Sequence, residues 1–227
     1  MPTAFTRIPS PLGELTLAAS DTGLVAVYFP TSRHVPPLHV VERGTGGEDH
    51  VHEVERGTGG EDHVHVVERE AGREPRAVRR ETGRKASGAN VLLQKDGAAW
   101  LEDDGSGPAG AVLARTREQL NEYFARTRTT FDLPLDPAGS AFERRVWDAL
   151  RAIPYGSTVS YGELARRLGD PRATRAVGAA NGKNAIPIIV PCHRVVGARG
   201  ELTGFGGGLD RKRWLLEHEG AALALGY

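Results

Sequence analysis

The sequence predicts an α+β protein in two parts: a small antiparallel sheet with one helix, joined to a mainly helical C-terminal half. Three observations carry that prediction. Short β-rich runs with turn signals occupy the first 33 residues, helical periodicity dominates after residue 108, and the stretch between them is built of glycine- and charge-rich repeats.

Phe5-Thr6-Arg7 and the segment Gly13 to Ala19 show partial alternation of apolar and polar residues. Gly23-Leu24-Val25-Ala26-Val27-Tyr28-Phe29 is a β-rich run after the turn residues Ser20-Asp21-Thr22. An antiparallel meander is the simplest arrangement of these runs. Residues 41–52 and 54–65 are then identical copies of Val-Glu-Arg-Gly-Thr-Gly-Gly-Glu-Asp-His-Val-His, a 13-residue period that decays in a third copy near His65. Each copy holds few apolar residues among glycine and charge, too few to offset the entropy of ordering, so an insertion over about 34–107 is expected to be largely disordered. One local exception is a small hairpin in which Val91 to Lys95 and Ala98 to Leu101 flank Asp96-Gly97. The repeat histidines His50, His52, His63 and His65 read as solvated copies, so no metal site is expected there.

After the insertion, Val112, Leu113, Leu120, Tyr123 and Phe124 fall at helical spacing and predict a helix over 109–127 packed on the sheet. Asp132-Leu133-Pro134-Leu135-Asp136-Pro137 reads as a linker, which divides the chain into an N-terminal domain, 1–135, and a C-terminal domain, 136–227. The second domain opens with a helix over 140–152 that presents Phe142, Val146, Ala149 and Leu150 on one face. Ser160 with Glu163 forms a capping-box signature for the next helix. Asp170-Pro171 breaks that helix, and Arg172 to Asn181 forms another, giving helix, tight turn, helix. The last helix runs from Leu209 to Glu219.

Net charge is zero, yet residues 34–110 carry 10 basic and 15 acidic side chains and residues 111–227 carry 17 and 12. The cationic C-terminal part is compatible with a nucleic-acid partner. No apolar stretch approaches the roughly 20 residues that span a bilayer, and Met1 to Ser10 lacks the pattern of a signal peptide, so a soluble cytoplasmic protein without a membrane partner is expected. Cys192 is the single cysteine. It excludes an intramolecular disulfide and four-thiolate zinc sites.

Cys192 lies in Pro191-Cys192-His193-Arg194-Val195, after the apolar run Ile186-Pro187-Ile188-Ile189-Val190. A thiol attacks as thiolate, and apolar burial opposes that charge unless a neighbour supports it. His193 is adjacent, but on an extended strand successive side chains point to opposite faces, so a bent backbone or a bridging water has to connect the two. Glu219 is the favoured acceptor to hold the His193 tautomer, ahead of Glu217 and Asp210. The helix 172–181 is dominated by small residues, which suits close, sequence-tolerant approach to a narrow groove, with Arg175 placed to enter a duplex; the bland alternative is tight packing on neighbouring helices. Gly204-Phe205-Gly206-Gly207-Gly208 lacks the Gly-Lys-Ser/Thr ending of a phosphate-binding loop.

Ile188 to Gly197, Leu202 to Leu209 and Trp214 to Gly220 together strongly resemble the O6-alkylguanine-DNA alkyltransferases, also called methylated-DNA–protein-cysteine methyltransferases. The resemblance is close over 140–220 and looser over 1–33 and 108–135; the repeats have no counterpart. It implies a ribonuclease-H-like N-terminal part and a winged helix-turn-helix-like C-terminal part. It also implies a single-turnover transfer in which Cys192 takes an alkyl group from O6 of guanine in double-stranded DNA, with O4 of thymine as a further candidate. His193 then deprotonates the thiol through a water, Glu219 orients His193, and Asn184 stabilises the turn before the active-site strand. Tyr161 disturbs the backbone phosphate and bonds the base, Arg175 fills the gap left by the extruded nucleotide, and the Val195 main chain reads the base. Phe205 stands where many members have tyrosine and Gly206 where some have serine. No cofactor, no metal and a monomeric state are expected. Two other readings stay open: a lesion binder whose cysteine is structural, and a cysteine hydrolase using Cys192 and His193.

Overall fold

A computed structural model of the chain describes residues 3–30, 38–43, 49–56, 62–66, 80–81, 89–93, 99–103 and 105–221, with side chains described for 4–30, 102–103 and 105–221. The expected meander is present. β1 (Thr3–Ile8), β2 (Leu15–Ala19) and β3 (Leu24–Tyr28) pair antiparallel, with Phe5 opposite Ala18 and Leu17 opposite Val27. Leu15, Leu17, Leu24 and Val27 enter the core from these strands.

α1 (Gly107–Phe124) packs on this sheet. Its buried face, Leu113, Thr116, Leu120 and Tyr123, follows the three- and four-residue spacing of a half-buried helix, and Pro108 suits its first turn because an N–H there has no intrahelical acceptor. The following segment, expected as a plain linker, lies beside β3: Leu24 N–H donates to Pro134 O at 2.8 Å and Asp136 N–H to Leu24 O at 2.8 Å. Two prolines remove donors from that segment without preventing the remaining groups from pairing.

The insertion departs from expectation. β4 (Leu38–Arg43), β5 (Asp49–Arg56), β6 (Asp62–Val66), β7 (Arg80–Glu81), β8 (Ala89–Leu93) and β9 (Ala99–Glu102) extend the sheet in the order β3-β2-β1-β9-β8-β4-β5-β6-β7. Strands thus occupy part of the segment for which disorder was expected; residues 31–37, 44–48, 57–61, 67–79, 82–88, 94–98 and 104 lie outside the described ones. The reason is in the register. Val41 faces Val51 as Val54 faces Val64, Glu42 faces His50 as Glu55 faces His63, and Arg43 faces Asp49 as Arg56 faces Asp62. Each copy repeats the backbone register of the one before, a regularity that composition does not show. The predicted hairpin corresponds to β8 and β9, with Leu92 opposite Trp100, and β9 runs parallel to β1.

α2 (Ala141–Arg151) starts at a complete capping box in which Ser140 and Glu143 satisfy each other's backbone N–H. Phe142, expected in its buried face, is 37% exposed, and Trp147 occupies the core with its Nε1 donating to Ala180 O at 2.9 Å. The buried stripe is Val146, Trp147 and Leu150, so the face is rotated by about one residue from the predicted one. α3 (Tyr161–Arg167) is capped by Ser160, whose hydroxyl accepts from Glu163 N–H. Asp170 then caps a 3₁₀ turn over Pro171–Ala173 that leads into α4 (Thr174–Gly182). A two-stranded parallel pair joins β10 (Val159–Ser160) to β11 (Val195–Val196), and α5 (Leu209–His218) closes the described chain. One continuous core runs from Leu17 and Leu24 in the sheet through Tyr123 to Leu164, Ile188 and Leu215. Among the described residues, no helix is long and apolar enough to cross a membrane.

Candidate active site around Cys192

The apolar run before Cys192 is a set of turns rather than the active-site strand the sequence suggested. Pro187 and Pro191 have no N–H for a strand ladder, and the Asn184 side chain takes over the bonding: its Nδ2 donates to Val190 O at 2.8 Å and its Oδ1 accepts from Ile186 N–H at 3.0 Å. Ile188, fully buried, is held at φ +75°, a conformation that costs a β-branched residue on the order of 1–3 kcal/mol. Pro191 at φ −82°, ψ +63° then makes an inverse γ-turn, with Cys192 N–H donating to Val190 O at 2.8 Å. Cys192, His193 and Arg194 follow as one 3₁₀ turn. This supplies the bent backbone that the adjacency of thiol and imidazole required.

His193 is fully buried, and its Nε2 lies 2.9 Å from Glu219 Oε1. Glu219 is the C-cap of α5, so the helix end delivers the carboxylate selected from the sequence. The same carboxylate accepts from Tyr123 Oη at 2.8 Å and from Arg194 through Nε at 2.8 Å and Nη2 at 2.9 Å, a bidentate pair. Burial opposes its charge, but the bonds from His193 and Arg194 outweigh burial and bring the carboxyl down to about 2. It is therefore ionised at neutral pH. Burial lowers the pKa of His193 against the pull of Glu219, which leaves the imidazole neutral. A carboxylate can only accept, so Nε2 carries the proton and Nδ1 carries a lone pair with no protein partner.

The Cys192 thiol is 5% exposed, and burial pushes it up to about 11 despite the lowering effects of Asn184 and Lys212. The sulfur rests as thiol, because its surroundings are dry and its imidazole neighbour is uncharged. Lys212, absent from the sequence-derived set, is fully buried and donates from Nζ to Val195 O at 2.5 Å and Thr203 O at 2.6 Å. Desolvation brings it down to about 8, and its charge interacts with Cys192. Lys212, Leu215, Leu216 and Glu219 form an i, i+3, i+4, i+7 stripe; a charged residue at each end of a core-facing stripe was the available signal.

Cys192 opens onto a cavity of about 280 Å³ whose wall includes Phe29, Asn181, Asn184, Phe205 and Gly206. The Phe205 ring lies 5.8 Å from that of Phe29, so the end of β3 closes the pocket from the N-terminal side. Gly207 packs so tightly there that a Cβ would meet Phe29 at 2.6 Å. A wider groove of about 810 Å³ continues from Phe205 and Gly206 over Arg211 and Trp214. Tyr161, the first residue of α3, reaches Gly204 O with its hydroxyl at 3.4 Å. Arg175 is exposed on α4, and the Val195 carbonyl is shared with Lys212. The structure thus gathers Cys192, His193, Glu219, Asn184, Val195, Phe205 and Gly206 around one centre, with Tyr161 at its edge and Arg175 on the outer face. Tyr123, Arg194 and Lys212 join them from outside the predicted set. Among the described residues, no group of three or more His, Cys, Asp or Glu side chains is arranged to hold a metal.

Residues 141–221 match the family described as "6-O-methylguanine DNA methyltransferase, DNA binding domain". The methylated-DNA–protein-cysteine methyltransferase of Mycolicibacterium paratuberculosis is 60% identical over 121 residues, 52% of this chain and 70% of that protein; that of Methanosarcina acetivorans is 55% identical over 123 residues, 54% of this chain and 75% of that protein. The crystal structure of Mycobacterium tuberculosis OGT in complex with DNA superposes with a TM-score of 0.62 at 35% identity, over 96% of this chain and 92% of that one. With so large a share of each relative matched at these identities, the chain belongs to the methylated-DNA–protein-cysteine methyltransferase family of enzymes.

Proposed function

We propose that this chain repairs double-stranded DNA by moving an alkyl group from O6 of guanine to Cys192 Sγ, once per molecule and without cofactor or metal, with O4 of thymine as a further candidate substrate. The observation that carries the proposal is a buried thiol at the floor of a cavity, backed by a neutral imidazole whose proton-bearing nitrogen is fixed on an ionised carboxylate.

The alkyl carbon on a base edge is hidden in the stack, so the nucleotide has to leave the duplex at a cost of about a few kcal/mol. In this reading α4 lies along the groove, Arg175 occupies the vacated place, Tyr161 displaces the backbone phosphate and meets the base, and Phe205 stacks on it. The Cys192 proton passes to His193 Nδ1 through a water. The resulting imidazolium is stabilised by Glu219, which the neighbouring Arg194 keeps ionised. The sulfur then attacks the alkyl carbon, the carbon–O6 bond breaks, and its electron pair returns to the base, which recovers a proton as ordinary guanine. The thioether left behind has no good leaving group, so water does not regenerate the thiol. Asn184 holds the turn that presents the sulfur. Loss of a tyrosine hydroxyl at Phe205 and of a serine hydroxyl at Gly206 removes polar contacts to the base without removing the stacking surface.

The same reading divides the chain at about residue 135 into a ribonuclease-H-like part, carrying the 34–107 insertion, and a winged helix-turn-helix-like part. It has the protein act as a monomer in the cytoplasm, where a lone thiol stays reduced. The α3–α4 pair and the β10–β11 pair support the second assignment. Incubation with an O6-methylguanine duplex tests the function: mass spectrometry should find one added CH₂ unit on Cys192 in wild type and none in Cys192→Ala, with a product burst equal to the protein concentration and no later turnover. Repeated turnover on an acyl substrate would favour a hydrolase, and tight lesion binding without a covalent product would favour a pure lesion binder.

A further inference from the structure

Among the described residues, two buried side-chain atoms lack a protein hydrogen-bond partner: His193 Nδ1 and Asn181 Oδ1. The first is the base in the proposed transfer. The second has no part in it. Asn181 sits in the last turn of α4, is 3% exposed, and lines the cavity that Cys192 opens into.

The hydrogen-bond network favours one orientation of its amide. Tyr161 Oη lies 3.4 Å from Gly204 O and 3.4 Å from the Asn181 amide nitrogen. A phenol carries one proton and a carbonyl only accepts, so placing that proton on Gly204 satisfies both neighbours, whereas giving it to a flipped Asn181 amide would leave Gly204 O without this bond. Tyr161 Oη must then accept from Asn181, which turns the NH₂ toward Tyr161 and leaves the carbonyl oxygen unmet. Asn184, three residues on in the same wall, is the contrast: its amide is engaged at both ends with Val190 and Ile186. A buried acceptor without a donor is costly, and such atoms are found where a ligand supplies the missing group.

The chemistry of the two candidate lesions says which ligand does so. Alkylation at O6 removes the N1–H of guanine, so the exocyclic 2-amino group holds the only N–H bonds left on that base. Alkylation at O4 of thymine removes N3–H and leaves a base with no N–H donor. We infer that Asn181 Oδ1 accepts a hydrogen bond from the 2-amino group of the everted O6-alkylguanine and thereby makes this pocket discriminate against alkylated thymine. The inference rests on the transfer reading above and deepens it. A thymine lesion would fill the pocket and leave Asn181 still unpaired, the situation in which hydrogen-bonding sites reject analogues most strongly.

The test is a set of single-turnover rates on duplexes containing O6-methylguanine, O6-methylhypoxanthine, which is the same base without the 2-amino group, and O4-methylthymine. Full-length wild type is compared with Asn181→Ala and with Asn181→Met, which restores side-chain volume. Wild type should react about tenfold faster with O6-methylguanine than with the hypoxanthine analogue, and both variants should lose most of that difference by slowing on guanine alone. Preference for guanine over thymine should fall in parallel. Variants that keep the wild-type preference, or that slow equally on all three duplexes, would overturn the inference and leave Asn181 as a prop for Tyr161. If wild type transfers no methyl from O6-methylguanine to Cys192, the transfer reading itself fails, a result separate from either of these.

Discussion

On the protein side of His193, the Glu219 carboxylate meets Tyr123 Oη, His193 Nε2 and two nitrogens of Arg194, all within 2.9 Å. Beside Cys192, Asn181 Oδ1 in the cavity wall and the buried His193 Nδ1 have no protein hydrogen-bond partner, and the thiol is held up to about 11. Both regions are buried and both are polar, yet one is saturated with bonds and the other is short of them. The saturated side fixes orientation before any ligand arrives, which is what electrostatic preorganisation needs. The unsaturated side leaves its bonding capacity to be completed by whatever enters the pocket. A thiol kept protonated until a base is bound is also protected from stray alkylation and oxidation, since both act on thiolate.

Removing a member of the saturated side should break the contrast most strongly. Arg194→Met leaves the buried Glu219 without its bidentate partner, and urea unfolding should show a loss of about 3–5 kcal/mol; a loss below about 1 kcal/mol would mean that the ion pair contributes little to holding the site. Acid should give the next largest effect. The Glu219 carboxyl is depressed to about 2 from the ordinary 4.5, so its contribution is complete above pH 4.5 and is lost as pH falls toward 2. That contribution amounts to about 3 kcal/mol. Wild type should therefore lose stability over this window relative to Glu219→Gln, and parallel pH profiles for the two proteins would contradict the assignment. Tyr123→Phe removes one hydroxyl bond to Oε1 and is expected to cost about 1–1.5 kcal/mol. It should also lower the methyl-transfer rate about fivefold as His193 loses its fixed orientation. An unchanged rate with lowered stability would show that Tyr123 steadies the fold without steering the imidazole.

Much of the centre was legible because it is local. Cys192 and His193 are adjacent, and Asn184 lies eight positions before the thiol in one continuous turn. Glu219 was legible for a different reason: of the acidic residues on or next to α5, Glu217 lies on another helical face and Asp210 at the far end. Tyr123 was legible as a core residue of α1 but not as a donor to Glu219, because its contact spans 96 positions and depends on how the sheet domain docks. Arg194 stood inside the recognised motif, and its role depended on the 3₁₀ turn that folds it back beside His193. The helices after residue 108 were placed well, since periodicity and caps act within a few residues. The strands of the insertion were not legible, for the opposite reason. Composition weighs side-chain burial, whereas its strands are specified by a pairing register that only becomes visible when the copies are laid against each other.

That register has a consequence for how the insertion varies. Each 13-residue copy adds one strand and reverses the direction of travel, while reproducing the same facing residues. Duplication or deletion of a copy therefore lengthens or shortens the outer end of the sheet and leaves β1, β2, β3 and the wall they give the pocket unaltered. The end from which the chain departs is preserved only when copies are added or lost in pairs, so length polymorphism in this segment should favour even steps.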